Sequence, residues 1–128
     1  MESLLRIVQQ LNENDPQLIH ADLKGVGLSD DGVGLLSEAL KSNTTLTVLN
    51  LQCNSISVDG SRLLADALKK NATLRTVLLD SNDIGAEGAV RLFLLWFDRT
   101  HDADICAIRF AAGPACRGPE TQFNIRLP

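Results

Sequence analysis

Apolar residues in the middle of the chain follow two different periods in succession. Leu49 and Leu51 are two positions apart, the spacing that puts both side chains on one face of a short strand. Apolar residues then recur at the spacing of one helix face: Leu63, Leu64, Ala67 and Leu68. Between the two runs, Ser57 and Asp59 are suited to the start of a helix. The pattern predicts a strand followed by a helix.

This unit of strand and helix repeats every 28 residues, in segments that begin at Leu18, Leu46 and Leu74. The central copy spells L-x-x-L-x-L-x-x-N-x-I through Leu46, Leu49, Leu51, Asn54 and Ile56. A repeat of this length that contains one strand and one helix is typical of a solenoid, in which each unit packs on its neighbours. The predicted fold class is an α/β solenoid.

The motif resembles the ribonuclease-inhibitor-like class of leucine-rich repeats over roughly residues 14–97. The resemblance implies a short right-handed superhelix of about three repeats. It also implies a structural ladder in which the amides of Asn54 and Asn82 bond backbone groups of the turns. In the first repeat Val26 occupies the ladder position, a departure that a terminal repeat tolerates because it has only one neighbour.

The same register divides the chain into three parts. Residues 1–17 are predicted to form an N-terminal capping helix that ends before Pro16. Residues 18–97 are the leucine-rich repeats, and residues 98–128 are an irregular C-terminal tail or cap. We expect the helix that ends near Lys70 to be capped by Asn71, a residue type that tolerates the left-handed conformation of a C-cap.

The periodicity fails after residue 98. Continuing the register would place the next strand at residues 102–107, where only Ile105 fits. Two interpretations remain. The segment either comes from an alternative exon or a truncated gene model, or it is an unusual cap that uses Ile105, Ile108 and Phe110. An uncovered third repeat would expose an apolar layer and a strand edge, so self-association is one expected consequence.

Composition restricts the partners further. With 45% hydrophobic residues in 128 positions, the chain can bury one core. A net charge of −4 with both signs interspersed argues against a nucleic-acid or anionic-membrane surface. The N-terminal segment lacks the basic region and cleavage site of a secretory signal. We therefore expect a cytoplasmic protein whose three cysteines are reduced thiols.

The chain offers no recognisable catalytic, cofactor or metal motif. A short segment near the C-terminus contains His101, Asp102, Asp104 and Cys106. Its spacing matches no zinc, calcium or thiol motif, and a solvated loop is the better interpretation. Asn43 and Asn71 open formal glycosylation sequons, but both recur at helix ends, so a cap is favoured. We expect no enzyme activity, no cofactor and no metal.

The alternation of the strands predicts an outward face. With Leu49 and Leu51 directed into the core, the residues between them point to the concave side of the sheet. The predicted protein-binding face comprises His20, Asp22, Lys24, Val48, Asn50, Gln52, Thr76, Leu78 and Asp80. Leu78 is the candidate apolar anchor.

Three families that share this repeat class suggest roles. Nod-like receptor repeats serve recognition and autoinhibition, Ran GTPase-activating proteins act on a small GTPase, and tropomodulins cap actin filaments. The segments NDPQLIHADLKGV, EALKSNTTL and ALKKNATL look like the tropomodulin repeat region. The resulting hypothesis is a non-catalytic module that binds an unidentified protein partner. The alternatives are tropomodulin-like actin-filament association and a regulatory or GTPase-activating fragment of a larger repeat protein.

Overall fold

The computed structural model describes residues 2–99 and 107–109. Helices and strands alternate along them. The helices are α1 (Glu2–Asn12), α2 (Asp30–Ser42), α3 (Val58–Lys70) and α4 (Gly85–Arg99), and the strands are β1 (His20–Asp22), β2 (Val48–Asn50), β3 (Thr76–Leu78) and β4 (Ala107–Arg109). No helix among these residues is long and apolar enough to cross a membrane. The architecture is the α/β leucine-rich-repeat solenoid that the sequence predicts.

The four strands form one parallel sheet in the order β1-β2-β3-β4. Ala21 pairs with Leu49 and Leu49 with Val77, so the register advances by the 28 residues of the sequence period. The step to β4 differs, because Val77 pairs with Ile108, 31 positions later. The strand that follows β3 therefore begins at the last residue of the stretch 102–107 that a strict register indicates. Ile105 and Phe110, the other two residues of the proposed cap, lie outside the described residues.

The core lies between the sheet and the helix layer. Leu49 and Leu51 are fully buried, as the strand pattern predicts. On the helices the buried stripe is narrower than predicted, because Leu35 is 50% exposed and Leu63 is 41% exposed. Successive residues of a helix are rotated by about 100° around its axis. Leu35 and Leu63 therefore lie at the edge of the buried face when the residue that follows each of them points into the core.

Close packing of successive helices depends on a glycine in α3. A Cβ atom at Gly60 would collide with the carboxylate of Asp30 in the preceding repeat. That carboxylate accepts hydrogen bonds from the backbone N–H of Ser57 at 2.9 Å and from its hydroxyl. Ser57 in turn accepts a bond from the amide of Asp59 at the start of α3. Gly60 therefore provides the space in which one repeat supports the helix start of the next.

The turns after β1, β2 and β3 share an equivalent position in the left-handed region. Gly25, Cys53 and Ser81 have φ angles of 63°, 57° and 59°, and they are spaced by the repeat length. Only glycine adopts this conformation without steric cost. Cys53 is disulfide-bonded, so the prediction that all three cysteines are reduced is wrong.

The asparagines that follow β2 and β3 bridge adjacent repeats. Asn54 Nδ2 donates to the carbonyl oxygen of Leu23 at 2.9 Å, and Asn54 Oδ1 accepts from the amide of Leu28 at 2.9 Å. Asn82 makes the same kind of contact one repeat later, donating to the Leu51 oxygen at 2.8 Å. Each side chain therefore satisfies backbone groups of two turns at once.

A second row of asparagines lies at the opposite edge, where the helices end. Asn43 Nδ2 donates to the oxygen of Leu11 at 3.1 Å, and Asn71 Nδ2 donates to the oxygens of Leu40 and Asn43 at 2.8 and 3.2 Å. Both asparagines are only 2% exposed. Their backbones are extended, with φ of −74° and −78°, so the expected left-handed cap is wrong. These residues act through their side chains, which are also inaccessible as sequons.

Candidate protein-binding face

The face predicted from the strand pattern is an array of side chains in three rows. The first row contains His20, Val48 and Thr76, and the second contains Asp22, Asn50 and Leu78. The third row contains Lys24, Gln52 and Asp80 and lies just beyond the strands. Backbone hydrogen bonds at this level keep the three turns in register. Gly25 N donates to the Gln52 oxygen, and Cys53 N donates to the Asp80 oxygen, each at 2.9 Å. The sheet therefore brings the nine predicted residues together on one side.

Exposure falls across this face from the first repeat to the third. His20 and Asp22 in β1 are exposed, whereas the outward residues of β2 and β3 are half-buried. Lys24 is also exposed. The most accessible part of the face is therefore its first, charged strand.

Asx-type turns hold the polar residues of the second row in place. Asp22 Oδ1 accepts a hydrogen bond from the amide of Lys24 at 3.1 Å, and Asn50 Oδ1 accepts one from the amide of Gln52 at 3.0 Å. These bonds use one side-chain oxygen of each residue. The remaining carboxylate oxygen of Asp22 and the amide nitrogen of Asn50 have no hydrogen bond to another described residue.

Two residues of the third repeat are less accessible than the sequence predicts. Asp80 is only 6% exposed and accepts a hydrogen bond from Gln52 Nε2. Asp80 therefore contributes little accessible surface to the predicted face, and its role in binding stays a prediction. Leu78 faces the predicted side but is half-buried, so an apolar anchor there would contribute only part of its surface.

Potential metal ligands do not cluster within the described residues. No group of three or more His, Cys, Asp or Glu side chains within 2–99 and 107–109 could hold a metal ion. On the surface of the helix layer, the hydrogen bond and charge of Lys41 lower the pKa of Glu38. The predicted segment His101, Asp102, Asp104 and Cys106 lies outside the described residues, as does Cys116.

The sequence pattern did not identify a second set of accessible side chains on the helices. Large apolar residues of α1 to α4 are exposed to solvent: Leu5, Leu35, Leu63, Val90 and Leu94. Helical periodicity groups Leu35 and Leu63 with the core, since they adjoin buried leucines. A comparison of equivalent positions in the three repeats is the signal that separates Val90 and Leu94 from the core, because their counterparts are polar or glycine.

Comparison with known proteins adds a family and two similar folds. The family model "Leucine Rich repeat" matches residues 42–65 and 70–93. A solved structure titled "Leiomodin-1 Actin-Binding Site 2 (ABS2)" is similar with a TM-score of 0.75 and 21% identity, covering 89% of this chain and 65% of that one. The tropomodulin C-terminal domain of Caenorhabditis elegans gives 0.67 and 20%, covering 85% and 63% respectively.

The chain thus spans less than two thirds of either solved structure. A search of curated proteins found no match. At identities near 20% these structures show a shared fold, while the family match locates the repeat motif in the second and third units. Together with the 28-residue register and the asparagine contacts, they assign the repeat class. The chain is a leucine-rich-repeat protein of the ribonuclease-inhibitor-like class.

Proposed function

We propose that the chain is a non-catalytic interaction module that binds a protein partner on the concave face of its sheet. The observation that carries this proposal is the in-register array of outward side chains on β1 to β3. Those of β1 are exposed and those of β2 and β3 half-buried. Leucine-rich repeats in general suggest protein–protein interaction, and their extended concave surfaces suit it.

The size of the face sets the expected strength of binding. Neighbouring strands lie about 4.8 Å apart and alternate residues about 6.6 Å apart, so nine side chains cover an area roughly 10 by 13 Å between Cα atoms. A stable complex buries about 800 Å² on each partner. The face supports a weak complex by itself, and a tighter one requires contacts with the adjoining turns. The exposed charges of His20, Asp22 and Lys24 favour a polar partner surface.

Actin is the second, more specific candidate. The similar leiomodin structure is titled as an actin-binding site, and the tropomodulin domain shares the same fold. Under this proposal the chain acts in the cytoplasm, where it would meet actin. A tagged chain that is retained in an oxidising compartment would contradict that location.

Actin is also the defined probe for the experiment. The purified chain is titrated with monomeric actin by fluorescence anisotropy and sedimented with filaments. Alanine at His20 combined with asparagine at Asp22 should weaken any binding while leaving the melting temperature unchanged, because both side chains are exposed and asparagine keeps the acceptor for the amide of Lys24. Lys69→Ala, on the exposed surface of α3, is the matched control and should have no effect.

The outcomes separate the two levels of the proposal. Binding to actin that is weakened by the β1 variant but not by Lys69→Ala supports both the concave face as the binding site and actin as the partner. Without actin binding, the actin candidate falls, and the face is then tested by affinity capture and identification of a partner with the same variants. If Lys69→Ala abolishes binding while the β1 variant is silent, the assignment of the concave face is wrong.

A further inference from the structure

The third repeat differs from the other two at surface positions of its helix. Val90 and Leu94 of α4 are 52% and 58% exposed, and they lie four residues apart on one face. The equivalent positions are Gly34 and Glu38 in α2, and Arg62 and Asp66 in α3. Two solvent-facing positions have thus become apolar in α4, although neither side chain is buried in the described part of the chain.

The inner repeats show which direction these positions face. A side chain at Gly34 would approach the Cδ1 atom of Leu63, which belongs to the following helix. Arg62 Nη2 lies 3.4 Å from Glu87 Oε1, again on the following helix. By the same register, Val90 points away from α3, toward the place where a further helix would stack. Within the described part of the chain no helix lies there.

The two ends of the helix layer differ in polarity. The outer surface of α1 presents the exposed residues Glu2, Arg6 and Gln9, with Leu5 as its exposed large apolar residue. A polar outer face is what keeps the terminal unit of a repeat array soluble. Helix α4 presents Val90 and Leu94 instead, so only one end of the layer is suited to apolar association.

We propose that two copies of this chain associate through α4, related by a two-fold axis. A head-to-tail contact would set Val90 and Leu94 against the face of α1, where Leu5 is the one exposed large apolar side chain. A two-fold contact needs only one self-complementary patch. The patch is bordered by Glu87 and Arg91, which are 63% and 47% exposed in their side chains and pair with each other at 3.7 Å within the helix. An exposed pair of this kind contributes little, so each charge can exchange its partner for the opposite charge across the axis.

The contact is small, so the dimer should form reversibly and depend on concentration. The experiment is sedimentation velocity of the intact chain over a roughly hundredfold range of concentration centred on the micromolar region. The expected result is a monomer–dimer equilibrium. Leu94→Asp and Val90→Asp should each raise the dissociation constant by about 30-fold or more, because a carboxylate would be buried in the apolar contact.

Leu35→Asp is the matched control, since Leu35 is 50% exposed on α2 and lies away from the proposed contact. It should leave the dissociation constant unchanged. A chain that stays monomeric throughout overturns the proposal, as does an association that survives both α4 variants or is lost equally in the control. Thermal melting checks each variant. If both α4 variants unfold, Val90 and Leu94 stabilise the monomer, and the proposal also fails.

Discussion

Replacing Asn71 by aspartate tests whether the second asparagine row stabilises the solenoid. The change keeps the shape of the side chain but removes the Nδ2 donors that reach the oxygens of Leu40 and Asn43. Leaving a buried acceptor without its donor costs about 1 to 3 kcal/mol. For the two acceptors together this amounts to about 2 to 6 kcal/mol. Leu40 O keeps a longer bond of 3.3 Å from the amide of Asn43, and Asn43 O keeps one of 3.4 Å from the hydroxyl of Thr73. These remaining bonds place the expected loss at the lower end, about 2 to 4 kcal/mol.

The loss should appear as a lower urea midpoint with an unchanged slope, measured by circular dichroism at equilibrium. It should shrink at acidic pH, because protonation restores one donor to the side chain. Gln17→Glu makes the same chemical change at an exposed turn residue and should stay within about 0.5 kcal/mol. An Asn71→Asp variant as stable as the parent at neutral pH would refute the reasoning.

The remaining predictions use the same urea titration. Leu51→Ala should cost about 2 to 5 kcal/mol, because a cavity would form in the core, and a near-parental midpoint would contradict the register. Asn54→Asp should also destabilise, because it loses the donor to the preceding turn, and a fully stable variant would contradict the ladder. Ser37→Ala should be neutral or stabilising by up to about 1 kcal/mol, because the buried hydroxyl has no partner and the equivalent Ala65 is tolerated; a clear loss would reveal a hidden bond. Ser81→Gly should stabilise by about 0.5 to 1 kcal/mol by relieving a left-handed backbone, and a destabilised variant would argue against that strain.

Much of the fold can be predicted from the sequence because the same 28-residue pattern of strand and helix positions occurs three times. Once Leu49 and Leu51 are assigned to one strand face, the 28-residue period places every other strand and helix. The agreement between repeats compensates for the weakness of any one local pattern. The step to β4 could not be predicted in this way, because the period itself changes there.

Features that depend on contacts between repeats were not predicted. The pattern shows Asn71 at a helix end, but only the structure shows its amide reaching two preceding carbonyl oxygens. Similarly, strand alternation gives the direction of Asp80 without its depth, which depends on the bond from Gln52 and on neighbouring atoms. The candidate face was therefore predicted correctly in direction, while its accessible portion shifted toward β1. Its role in binding remains a proposal.

The long-range hydrogen bonds that the asparagine side chains donate run in one direction along the chain. Asn54 and Asn71 donate to carbonyl oxygens about one repeat earlier in sequence, and Asn43 reaches back to α1. When a ribosome releases the chain from its N-terminus, each emerging repeat therefore finds its acceptors already made and in place. No asparagine must wait for a later segment in order to be satisfied. Synthesis and assembly can proceed in the same order, with each unit serving as the template on which the next one closes.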